Sequence, residues 1–256
     1  MTDWQTAQPG ALALVGSGEY LPQMREVDRL LLGTRGGPAG ARVAVIPTAS
    51  GLEPGAPERW NGMGVAHFQA LGARVTPVPL VGRADAEDPA LVDLLRGADM
   101  FYFSGGSPEY VIETLRGTPA WEVIHGGFLA GAVLAGCSAG AMMLGSYTLS
   151  VRSVMRGQPP RWLPGLALIP GLVIMPHFDR VADFAGAEVF HAILAAAPRD
   201  ATLVGVDEDT ALVRPPGAAR WQVLGRQTIS LFDRAGGRAI YHPGDDVPLS
   251  TRIDIK

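Results

Sequence analysis

Short apolar runs alternate along this chain with longer segments whose apolar residues recur at helical spacing. Runs at 11–15, 42–46, 74–78, 99–103, 132–135 and 172–175 are bounded by glycine, proline or polar residues and predict strands. Segments 58–71, 89–95, 108–115, 119–129 and 181–197 predict helices; Val65, Phe68 and Leu71 carry the spacing in the first of them. The strands are apolar throughout and do not alternate, which predicts a parallel sheet buried on both faces. Strand and helix in turn then predict an α/β fold, a doubly wound, mostly parallel sheet sandwiched by helices.

Beyond residue 201 the helical spacing stops. Runs at 202–206, 210–213, 221–224 and 228–232 are separated by short turns and predict a small antiparallel extension packed on the sheet edge. The chain is expected to form one α/β domain over 1–256, with a core at about 11–213 and the extension at about 214–256. Segment 152–164, with three arginines and three prolines, shows no period and is expected to overhang whatever site the sheet carries.

The chemistry collects at Gly136-Cys137-Ser138-Ala139-Gly140. An apolar strand runs into Gly-x-Ser-x-Gly and a small-residue helix start follows, the form of a nucleophile elbow. Such a turn lifts the Ser138 hydroxyl into a cleft and aims N–H groups of the first helical turn at the same place. The bland alternative is a strand-to-helix turn rich in small residues, in a chain of 33 glycines.

In an open α/β sheet, ligands bind beyond the carboxyl ends of the strands. Several such ends carry polar or glycine-rich loops: Gly16-Ser17-Gly18-Glu19, Thr48-Ala49-Ser50, Ser104-Gly105-Gly106-Ser107, Pro176-His177-Phe178-Asp179 and Asp207-Glu208-Asp209. A serine nucleophile needs a base, and the base an orienting acid. His67, His125 and His191 fall inside helical patterns, whereas His177 follows a strand. Ser138, His177 and Glu208 or Asp207 make one candidate triad. Ser138, Asp207 and His242, in α/β-hydrolase order, make another and would suit an esterase. Gly105 and Gly106 suit an oxyanion site, where backbone N–H groups approach closely. Arg180, three residues past His177, could grip an acidic side chain or a peptide terminus, and Arg152 and Arg156 lie in the overhanging segment.

Composition narrows the partners. A hydrophobic share of 47% supplies a sizeable core, and a net charge of −4 argues against nucleic acid or an acidic membrane surface. The single cysteine, Cys137, excludes an internal disulfide and a multi-cysteine metal site. No cofactor or metal is expected. No apolar run reaches the length of a membrane span, and the first twenty residues lack a secretory pattern, so a cytoplasmic protein is expected. A homodimer stays open.

Four motifs in order complete the picture: Phe103-Ser104-Gly105-Gly106, Gly136-Cys137-Ser138-Ala139-Gly140-Ala141, Pro176-His177-Phe178 and Gly205-Val206-Asp207-Glu208-Asp209-Thr210-Ala211. Over about residues 11–213 the chain resembles the serine peptidase family of dipeptidase E and cyanophycinase, whose fold is flavodoxin-like, of the class I glutamine-amidotransferase type. The resemblance implies hydrolysis of short peptides, with an acidic, aspartyl preference in view. It makes Ser138 the nucleophile and His177 the base, with oxyanion N–H groups from Gly106 and Ala139. It favours Glu208 as the acid, since the Asp-Glu-x-Thr-Ala stretch matches the cyanophycinase branch. The chain departs from cyanophycinases at Ser107-Pro108 and at Met175-Pro176, where they carry Asp-Gln. A non-catalytic small-molecule-binding or regulatory protein on the same fold is the alternative from another class.

Overall fold

The apolar runs do become strands. The computed structural model describes residues 8–233, 237–249 and 253. Residues 234–236, 250–252 and 254–256 of the expected extension, and residues 1–7 of the segment inspected for a secretory pattern, lie outside that range. The strands are β1 (Leu12–Val15), β2 (Arg42–Ile46), β3 (Arg74–Pro77), β4 (Met100–Phe103), β5 (Val133–Cys137), β6 (Gly145–Leu149), β7 (Trp162–Pro164), β8 (Ile169–Met175), β9 (Thr202–Val206), β10 (Thr210–Arg214), β11 (Trp221–Gly225), β12 (Ile229–Phe232), β13 (Arg238–Tyr241) and β14 (Asp246–Val247).

They form two sheets. The first has eight strands in the order β14-β11-β10-β1-β5-β4-β2-β3. Its β1, β5, β4, β2 and β3 are parallel, and β10, β11 and β14 extend the β1 edge antiparallel. The second has six strands in the order β13-β12-β9-β8-β6-β7. Its centre, β9-β8-β6, is parallel, and its other pairs are antiparallel.

The continuous apolar runs are explained by burial on both faces. Leu12 and Leu14 of β1 enter one core, while Ala13 and Val15 enter another. Phe101 and Phe103 separate from Met100 and Tyr102 in the same way, as the two-residue period of a strand requires. The second sheet shares the first core through Leu172, Ile174, Val204 and Val206. Its other face sends Val173, Met175 and Leu203 into a third core.

The α/β class and the mostly parallel centre are as expected, and the second sheet is the main difference. Apolar runs predict strands but not their partners, so the run at 172–175 gave no sign of leaving the first sheet, and the run at 202–206, expected in the antiparallel extension, instead pairs parallel with β8 inside the second sheet. The run at 228–232 likewise joins the second sheet, not the edge of the first. The expected helix at 181–197 is two helices, Val181–Ala185 and Ala187–Ala195, broken where Gly186 adopts φ 84°. A helix at Arg25–Gly33 and the strands β6 and β7 are further elements. That helix has no side-chain cap at its N-terminus, so it lacks the usual start signal. The strand β7 is three residues long.

Candidate active site

The elbow is built by steric exclusion. A Cβ on Gly136 would lie 2.2 Å from the carbonyl oxygen of Gly140, and one on Gly140 would lie 2.8 Å from the Phe103 Cβ. The two glycines therefore allow β5, its following helix and β4 to close on one another. Neither takes the strained dihedral; Ser138 does, at φ 51° and ψ −113°. A non-glycine residue there costs on the order of 1–3 kcal/mol. The Ser138 N–H is held by the Val15 carbonyl of β1 at 2.9 Å.

The second sheet brings up the other two groups. β8 and β9 run parallel with Met175 opposite Gly205, so both chains leave the sheet at the same level. His177 leaves from β8 and Glu208 from β9. The Phe178 ring lies flat on Gly205, where a Cβ would come within 2.3 Å of it. The Phe178 N–H bonds the Val206 carbonyl at 3.1 Å. His177 Nε2 lies 3.1 Å from Ser138 Oγ, and Nδ1 lies 2.8 Å from Glu208 Oε1. All three residues are half-buried.

Glu208 is itself held. Its N–H donates to Asp179 Oδ1 at 2.8 Å, and its carbonyl accepts from Gln227 Nε2 at 3.0 Å. Gln227 Nε2 also reaches Asp179 Oδ2 at 3.2 Å. The preceding residue points elsewhere: Asp207 Oδ2 accepts the N–H of Thr228 at 3.0 Å and its hydroxyl. His242 is exposed and its side chain meets Asp245 at 3.8 Å. The structure therefore brings together Ser138, His177 and Glu208, and gives Asp207 and His242 separate partners.

Gly106, at φ 144°, is exposed beside Ser138. Its backbone lies so close to the Ala49 carbonyl that a Cβ would be 2.2 Å from the oxygen. Ala139 is the first residue of its helix, where an N–H has no intrahelical acceptor. Gly105 is different. Its N–H is taken by Glu19 Oε1 at 2.9 Å, so it supports the loop. Glu19 Oε2 accepts from Cys137 Sγ at 2.9 Å. The Cys137 thiol is fully buried, and burial, then the neighbouring Glu19, pushes its pKa well up. Sequence pattern offered only one sign of this bracing role, the placement of Glu19 in a strand-end loop.

Beside Ser138, Gly106 and His177 lies a cavity of about 650 Å3. Val154 and Met155 of the 152–164 segment, with Val151 just before it, border the cavity. Arg180 does not line it. Its guanidinium pairs with Asp183 at 3.0 Å and lies over the Phe184 ring, 5.7 Å from the centroid. Among the described residues no cluster of His, Cys, Asp and Glu could hold a metal, and no helix is long and apolar enough to cross a membrane.

Residues 12–220 match the model of peptidase family S51. The crystal structure of a peptidase from an acI-B1 Actinobacterium is similar, with a TM-score of 0.85 and 33% identity over 95% of this chain and 98% of that one. A protein assigned as a Peptidase E from Listeria monocytogenes EGD-e shares the fold, with a TM-score of 0.58 and 19% identity over 85% of this chain and 98% of that one.

Proposed function

The chain belongs to peptidase family S51 and is a serine-type peptidase; from that premise we propose that it hydrolyses short peptides through a Ser138-His177-Glu208 triad. The observation that carries the proposal is the continuous chain of contacts, 3.1 Å from Ser138 Oγ to His177 Nε2 and 2.8 Å from Nδ1 to Glu208.

Ser138 Oγ attacks the scissile carbonyl carbon as its proton passes to His177 Nε2. The Glu208 carboxylate holds the Nδ1 proton in place and stabilises the imidazolium that forms. The carbonyl oxygen gains a negative charge, and the N–H groups of Gly106 and Ala139 receive it. His177 then returns the proton to the leaving amine, and an acyl group remains on Ser138. Water, deprotonated by the same histidine, attacks the ester and frees the product. An acidic preference would need a cation at the cavity; Arg180, engaged with Asp183 and Phe184, does not support one.

Reaction with a fluorophosphonate probe tests the proposal. Labelling that disappears in Ser138→Ala and His177→Ala is the expected result. An unlabelled wild-type protein would mean a non-catalytic member of the fold.

A further inference from the structure

We propose that the cavity beside Ser138 is a specificity pocket for a large apolar side chain flanking the scissile bond, so that the enzyme prefers leucine- or phenylalanine-type residues there to acidic ones. This rests on the serine peptidase reading above.

The pocket's chemistry is the first argument. Its floor is made by Met142, Leu149, Met175 and Ile193, each less than a tenth exposed. These residues belong to the third core, so the floor is packed and preformed. Val154 and Val189 continue the walls. Among the described residues no Asp, Glu, Lys or Arg lines the cavity, and His177 is the one titratable group there. A volume of about 650 Å3 falls within the range of small-molecule sites, which are mostly apolar with few polar groups.

The mouth is the second argument. Met155 is 83% exposed and Phe184 68% exposed, the two highest values among the exposed large hydrophobic residues described. They come from separate segments and both line this one cavity. Exposed apolar residues gathered at one opening mark a place that binds apolar groups. Of the arginines next to lining residues in sequence, Arg152 and Arg156 do not line the cavity, and Arg180 lies over the Phe184 ring and pairs with Asp183. A carboxylate entering the apolar floor would lose its water and find no arginine or lysine among the described lining residues, which is unfavourable. A leucine or phenylalanine side chain would bury its surface against the floor at a gain.

The test compares kcat/KM for dipeptides carrying Leu, Phe, Ala or Asp at the first or the second position. At one position, Leu and Phe should exceed Ala by about 10- to 100-fold, the factor expected from burying a side chain of that size. Asp should fall below Ala. The favoured position tells which flank of the bond enters the pocket. In Val154→Arg the ratio of Leu to Asp kcat/KM should drop at least about 10-fold, because a guanidinium now meets the side chain. The ratio is taken within one preparation, so any loss of folded protein cancels. A flat response, an Asp preference, an unchanged ratio in Val154→Arg, or no cleavage by an enzyme whose Ser138 takes the fluorophosphonate each overturns the pocket alone. Loss of Ser138-dependent labelling instead overturns the catalytic reading beneath it.

Discussion

One oxygen of the Glu19 carboxylate accepts the backbone N–H of Gly105 at 2.9 Å, tying the loop after β1 to the loop after β4. The other oxygen takes the thiol of Cys137, one residue before Ser138. A single buried side chain thus braces both backbone segments that flank the proposed oxyanion site. Glu19→Ala leaves a buried N–H without its acceptor, which costs on the order of 1–3 kcal/mol. It should lower kcat by about 10- to 100-fold, a fraction of what losing an oxyanion donor costs, with a smaller change in KM. Glu19→Gln keeps an acceptor oxygen and should recover most of the activity. Steady-state kinetics and thermal melts of the two variants check this; equal damage by Ala and Gln would mean that charge, not the hydrogen bond, is what matters.

Ser138→Ala should abolish peptide hydrolysis by on the order of 10⁴-fold or more, because only binding and the oxyanion site then remain. His177→Ala should match it, since a nucleophile and its base act as a unit. His242→Ala should be nearly silent. A dead His242→Ala enzyme would restore the α/β-hydrolase order of residues.

Glu208→Gln should reduce kcat by about 10³- to 10⁴-fold, because an amide in place of the carboxylate can hold the histidine in the wrong tautomer. Asp207→Asn should change kcat by less than about 10-fold, as an amide oxygen can still accept from Thr228. Single-turnover rates of the two variants separate these outcomes. A larger loss in Asp207→Asn would move the acid by one residue.

Gly205→Ala should destabilise the fold by about 1–3 kcal/mol, because the new Cβ must displace the Phe178 ring. Since Phe178 follows His177 directly, kcat should fall as well. Gly205→Ala/Phe178→Leu should regain part of both losses. Denaturant melts alongside kinetics measure the coupling, and an absence of recovery would show that the ring is not what places the histidine.

The sequence by itself determined the local pieces of this protein. The helices at 89–95, 108–115 and 119–129 stand where the pattern puts them, because each begins with proline after a polar residue and carries an apolar face. The elbow was legible for a similar reason: Gly-x-Ser-x-Gly between an apolar run and a small-residue helix admits few backbone paths. The choice between Asp207 and Glu208 was half legible: the family resemblance favoured Glu208, but both residues lie just past β9, where no strand alternation decides which side chain faces His177.

Tertiary structure decided the rest. His177 and Glu208 reach Ser138 from a different sheet, and apolar runs carry no record of which strand they will pair with. Pairing is settled by packing over long sequence separations, such as Phe178 on Gly205 and Val204 in the core shared by both sheets. The apolar pocket was hidden for the same reason. Met142, Leu149, Met175 and Ile193 come from four separate segments, and each looks like an ordinary core residue until folding leaves a space between them.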